Sequence, residues 1–236
     1  MRHRLRQLAP DLVLVPAGAF LMGSTEDQVQ AAAARFQLPL AQFMSETPQR
    51  TVELPAYTIS RAPVTCADYR AFVIATDHPT PPYWGGDDPP DALLDHPVVG
   101  VAWNDARTYC RWLTAATDRE FRLPSEAEWE KAARGIDGRT FPWGERWEED
   151  MCNIGGVGTS VVGSFSHDIS PYGCVDIAGN VEEWTASRYA PGEPQIVVRG
   201  GRWDAGPELA HCARRVACAP ASSSLARGFR VVSDEI

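Results

Sequence analysis

The 236-residue chain has no two cysteines spaced CxxC, so a zinc ribbon is excluded although Cys66, Cys110, Cys152, Cys174, Cys212 and Cys218 are scattered along it. It has no apolar run approaching the ~20 residues a membrane helix requires, so no membrane partner is expected. Basic charge is scarce: 22 Lys and Arg stand against 31 Asp and Glu, a net charge of −9, which argues against nucleic acid as a partner. The start, MRHRLRQLAPDLVLVP, lacks an apolar core followed by a small-residue cleavage site, so a cytoplasmic location is expected. Arg2, Arg4 and Arg6 read as a solvated basic tail. Repeats and low-complexity tracts are absent, and no composition break divides the chain. One domain over residues 12–236 is expected, preceded by a short tail, residues 1–11.

What is present reads as short strands and capped helices. Leu12 to Phe20 is a strand by its apolar, partly β-branched composition, and Thr51–Leu54 and Tyr57–Ile59 alternate as strands do. Within Thr25 to Phe43, an acidic first turn and an Ala-rich run predict a helix of two to four turns closed by Pro39. Thr65 to Thr76 places Tyr69, Phe72 and Val73 at helical spacing after a Thr cap. Asn104 to Thr117 repeats the pattern with Asn104 as cap. Ser125 with Glu128 forms a capping box for a helix ending near Gly135. Asp77 to Asp95 reads as a loop holding Tyr83 and Trp84 at the surface. Val197–Arg199 and Phe229–Val232 read as strands that pair in a central sheet.

The most informative stretch is Tyr172 to Trp184, YGCVDIAGNVEEW. Asp and Asn supply side-chain oxygens there, Gly179 permits positive φ, and a carboxylate, Glu183, follows. Asp176, the carbonyls of Gly179 and Val181, and Glu183 can converge on a hard cation such as calcium. The same composition also describes an ordinary solvated acidic turn.

This stretch resembles the DxxGNVWEW signature of the formylglycine-generating-enzyme (sulfatase-modifying factor) family. Nine further blocks agree in the family's order: Leu14–Ser24, Glu46-Thr47-Pro48, Pro63-Val64-Thr65, His96–Val99, Trp103–Ala106, Arg122–Glu130, Pro142-Trp143-Gly144, Arg199-Gly200-Gly201 and Gly228-Phe229-Arg230. The resemblance implies an α+β, C-type-lectin-like fold with little regular secondary structure, twisted antiparallel sheets and two or three packed helices. It also implies one structural calcium on Asp176, Gly179, Val181 and Glu183. Asn153-Ile154 resembles the start of a second calcium site, whose downstream loop is shortened here. Secreted members tie the positions of Cys110 and Cys212 to cysteines that read Val231 and Ala133 here, so free buried thiols are expected.

The family's activity requires copper(I) on two thiolates, three and eight residues beyond the Ser of an RGGS block. Arg202 stands at that Ser, and the count then falls on Ala205 and Ala210. Glu182 replaces the family's Trp in VWEW. No catalytic residue and no copper are therefore expected, and formylglycine generation is excluded as the function. Cys212 and Cys218 have roughly the right interval for a substitute pair, but they read as structural thiols.

Two readings remain. In the first, the chain is a binding protein whose loops around the former active site, with Glu182, Arg202, Trp203, Asp204 and Glu208, recognise a protein or peptide. Relatives of that kind include immunity proteins and variable proteins of diversity-generating retroelements. Within this reading, Glu182 and Arg202 either serve the ligand or merely neutralise each other. In the second, the chain is a nonheme-iron or copper oxidase of a small molecule or peptide. No HxxxHxE segment is present, so that reading needs His78, His167 and His211 to meet in space.

Overall fold

The computed structural model describes residues 9–236; the rest of the expected tail, with Arg2, Arg4 and Arg6, lies outside the described residues. The expected strand from Leu12 to Phe20 is two strands, β1 (Leu12–Val15) and β2 (Gly18–Met22). Pro16 separates them, lacking the N–H a continuous ladder needs, and they join different sheets. β2 pairs with β3 (Arg50–Leu54), and β1 pairs with β4 (Tyr57–Ser60), both antiparallel.

Among the described residues four α-helices follow from their caps, in the four segments where the sequence predicts them. α1 (Glu26–Phe36) opens on a Thr25–Gln28 capping box and closes at Gln37 in the left-handed conformation, before Pro39 is reached. α2 (Cys66–Thr76) opens on the predicted Thr65, with Tyr69, Phe72 and Val73 buried. α3 (Trp103–Thr117) is capped two residues earlier than predicted: Ala102 is the N-cap residue, and its N–H donates to Asp105 at 2.9 Å. α4 (Glu126–Arg134) opens on the predicted Ser125–Glu128 box.

The second half forms a four-stranded sheet in the order β7 (Arg215–Cys218), β6 (Ile196–Arg199), β5 (Glu182–Arg188), β8 (Arg227–Gly228). All its pairs are antiparallel except β5 with β8. The expected pairing of Val197–Arg199 with Phe229–Val232 does not occur. Instead the chain leaves β8, buries Phe229 and Arg230, and joins the first sheet as β9 (Val232–Ser233) beside β4. Residues 227–233 therefore stitch the two sheets together.

Two apolar clusters carry the fold. One packs Tyr69, Phe72, Tyr109 and Leu113 of α2 and α3 against Trp184 and Phe229. Trp84 belongs to it, edge-on to Tyr69 at 6.2 Å, so the loop expected to hold it at the surface instead folds it inward. The other packs Trp129, Ala132 and Ala133 of α4 against Tyr57, Ile59 and Val232. Each fully buried aromatic of this kind contributes roughly 1.5–3 kcal/mol.

α4 is buried along almost its whole length, charges included, and each charge has a partner. Glu130 pairs with Arg134 at 2.8 Å and with Arg199. Lys131 donates to the carbonyls of Pro16 and Gly18 at 2.7 and 2.8 Å. All six cysteines are free and buried, as expected.

Candidate functional site

The turn that the sequence singled out lies where the second sheet begins. The buried Asp168 organises it, accepting the N–H groups of Ile177, Ala178 and Gly179 at 3.0–3.2 Å. The positive φ values fall on Asp176 (54°) and Asn180 (69°), residue types that tolerate the left-handed region. Gly179 is required for a different reason than predicted: a Cβ there would lie 2.7 Å from the carbonyl oxygen of Asn153.

The four expected calcium ligands sit in this turn and the start of β5 with unequal freedom. Asp176 is buried, and burial raises its carboxyl pKa to about 6 even though Gly163 donates to it at 2.9 Å. Glu183 is fully buried and already paired. Oε2 accepts from Trp129 Nε1 at 2.8 Å and Arg230 Nε at 2.7 Å, and Oε1 accepts from Arg230 Nη2 at 2.7 Å. A carboxylate has about four lone-pair positions, so one on Oε1 stays open to a cation. The carbonyl of Gly179 accepts the N–H of Val181 at 2.9 Å. The set fits a calcium ion in charge, through Asp176 and the open position on Glu183. Asn153, the expected start of a second site, donates through Nδ2 to Gly158 O, Ser160 Oγ and Asn180 Oδ1 at 3.0–3.2 Å, tying the 155–160 loop to the turn.

The altered centre is organised around Glu182, which β5 buries at its first position. Its partner is Arg227 of β8, with Nε at 2.8 Å from Oε1 and a second nitrogen at the same distance. Arg227 also lies over the Trp184 ring, 4.7 Å from the centroid. Arg202 stands off at 3.9 Å from Glu182 and is closer to Asp204, at 3.0 Å. Of the two arginines, Arg227 is the nearer partner of Glu182, because the parallel pairing of β5 with β8 puts it alongside, and Arg202 is the more distant one. Trp203 is half-buried and tied on three sides: N–H to Asn180 O at 3.0 Å, C=O to Gly156 N at 2.8 Å, indole N–H to Leu225 O at 3.1 Å. Asp204 is exposed, and Glu208 is half-buried in a single 3-10 turn, Pro207–Leu209. Arg202 therefore lies between Glu182 and Asp204, and Arg214 lies within charge range of Glu182, Arg202 and Glu208; Arg227 and Arg214 are two residues that sequence reasoning missed. Arg227 carried one signal, a cation immediately before the GFR block. Arg214 carried none: burial lowers its pKa, Glu182 opposes that, and among the described residues its side chain donates only to Gly200 O, at 3.4 Å.

No sulfur stands at the counted positions. Ala205 bridges Arg202 and Gly155 through its main chain, and Ala210 is buried against Phe141, Cys152 and Ala178. Cys212 and Cys218 do not meet, because Cys212 packs with Trp129 while Cys218 packs in the other cluster with Trp184 and Val198. Nor do the histidines converge: His78 contacts Asp105 at 3.2 Å, His211 contacts Glu46 at 3.0 Å, and His167 is exposed. Among the described residues, no group of three or more His, Cys, Asp or Glu side chains is arranged to hold a metal ion.

Residues 1–235 match the sulfatase-modifying factor enzyme 1-like domain. The chain belongs to this family. It is similar to the inactive C-alpha-formylglycine-generating enzyme 2 of Mus musculus, 31% identical over 95% of this chain and 86% of the mouse protein. It is 30% identical to the formylglycine-generating enzyme of Mycobacterium tuberculosis, over 96% of this chain and 98% of that protein. The solved structure of PvdO from Pseudomonas aeruginosa superimposes with a TM-score of 0.78 at 28% identity, covering 97% of this chain and 95% of that one. The four helices and curled, mainly antiparallel sheets are thus the C-type-lectin-like fold of the sulfatase-modifying factor family. No described helix is long and apolar enough to cross a membrane.

Proposed function

We propose that this member of the family is a binding protein that recognises a protein or peptide through the face formed by Arg202, Trp203, Asp204 and Glu208 over the Glu182–Arg227 pair. One observation carries the reading: the position of a soft-metal centre is filled by Ala205, Ala210 and a buried ion pair, while Trp203 is held rigidly at the surface of that same region. A tethered indole beside an Arg–carboxylate pair makes a low-entropy anchor with directional polar contacts. Val157, fully exposed, and Leu225, 59% exposed, flank it on the two loops that Trp203 bonds. The similarity to a mammalian protein named inactive is in keeping with lost catalysis.

The test compares partners retained by the immobilised wild type and by the Arg202→Ala/Trp203→Ala double variant. A near-stoichiometric protein or peptide held only by the wild type supports the proposal. Identical profiles, or stoichiometric copper or iron in the purified protein with oxygen uptake, overturn it in favour of an oxidase. We further propose that Asp176, Glu183 and the carbonyls of Gly179 and Val181 hold one structural calcium. Its support is the buried, under-neutralised carboxylate of Asp176 and the open lone pair on Glu183.

A further inference from the structure

Away from that face, the space beneath α1 forms a cavity of about 180 Å3, lined by Gln28, Ala31, Ala32, Arg35, Phe36, Thr140, Glu145 and His211. Its polar floor is His211, whose side chain is 4% exposed and boxed by the rings of Phe36, Phe43 and Phe141 at 5.2–5.9 Å. His211 Nδ1 lies 3.0 Å from Glu46 Oε1, and Ser24 donates to the other oxygen of Glu46 at 2.8 Å. A carboxylate only accepts, so Nδ1 carries the proton, and Nε2 is the ring's remaining hydrogen-bonding atom. Nε2 has no hydrogen-bond partner among the described residues, yet it is not among the sealed, unpaired polar atoms. The cavity is where it opens. The remaining polar groups on the walls are already engaged. Gln28 caps α1 and donates to Gly138 O, and Glu145 accepts from Thr140 Oγ1 at 2.7 Å. Arg35 reaches across the mouth to Glu145 O at 3.4 Å. The site therefore offers one free hydrogen-bonding atom at its bottom, with Ala31, Ala32 and Phe36 as the apolar part of a wall whose rim carries Arg35 and Glu145.

We infer that this cavity is a ligand site, separate from the Trp203 face, for a small molecule with one hydroxyl on a compact apolar body, such as a phenol. The hydroxyl hydrogen-bonds to His211 Nε2, and the apolar part rests against Ala31, Ala32 and Phe36. The size agrees, since an engineered apolar cavity of about 150 Å3 accepts benzene. The bond from Nδ1 to Glu46 and the aromatic box hold the imidazole in place with Nε2 toward the cavity.

The full-length protein, labelled at histidine, tests this by NMR titration with phenol. With five histidines in the chain, the expected result is a saturable shift of the His211 ring resonances alone. Ala31 lies exposed on α1 at the cavity wall, so Ala31→Leu and Ala31→Met, both good helix formers, fill the cavity without breaking the helix. Each is expected to weaken phenol binding by about tenfold or more, the value of roughly one lost hydrogen bond with its packing. No saturable shift at His211, or an unchanged affinity in both Ala31 variants, overturns the inference.

Discussion

Arg227 holds Glu182 through two nitrogens, each 2.8 Å from the same carboxylate oxygen, while Arg202, placed by sequence at the centre, stays 3.9 Å away. The two arginines therefore have opposite assignments, Arg227 to the fold and Arg202 to the surface. Arg227→Ala strands a buried carboxylate and is expected to cost about 3–5 kcal/mol. Arg202→Ala removes a half-exposed cation and is expected to cost less than about 1 kcal/mol. Thermal or urea unfolding of the two variants checks the contrast; equal losses would return Arg202 to the role of structural partner.

Calcium affords a second check. With free ion at about 100 times its dissociation constant, binding adds about 2.7 kcal/mol. For a chain of this size that corresponds to roughly 5–10 °C in melting temperature. Chelation is expected to remove that increment from the wild type and to leave Asp176→Asn unchanged. No fall on chelation, with no calcium by elemental analysis, would discard the site.

The α4 cap makes a pH prediction. Burial raises the Glu128 pKa, but bonds from Arg122 at 2.6 and 2.8 Å and from Ser125 N at 2.7 Å outweigh it, leaving the folded value below the usual 4.5. The unfolded chain then binds the proton more readily, so this stabilisation is complete above about pH 4.5 and fades as pH falls through the lower, folded value. Glu128→Gln is expected to cost about 2 kcal/mol at pH 7 and much less near pH 3, read from denaturant unfolding at both. A cost independent of pH would assign the effect to packing.

Burial raises the pKa of all six thiols, with Cys110 pushed up to about 12. The thiolate is the reactive form, so none should react rapidly with a disulfide reagent at pH 8 in the native protein. All six should react in denaturant. Fast native labelling of Cys212 and Cys218 would reopen the redox reading.

The sequence was most legible where a local rule governs structure. Thr25, Thr65 and Ser125 start their helices as side-chain caps, because capping is settled within four residues. Asn104 failed as a cap since Asp105 serves the Ala102 N–H from the other direction. What the sequence concealed depends on register between distant segments. Arg227 meets Glu182 only because β8 lies parallel to β5, and Trp84 is buried only because α2 offers it Tyr69. At the site, the missing thiols could be read directly. The charge partners could not, because ion pairs leave no periodic trace.

Val232 and Ser233 form the strand that β4 needs on its free side, and Val232 also bridges to Arg122. That pairing joins residues 175 apart in sequence, so the first sheet closes late in folding, after a long loop has been brought back to it. Losing Val232 and Ser233 would leave β4 with a bare edge, open to pairing with other chains.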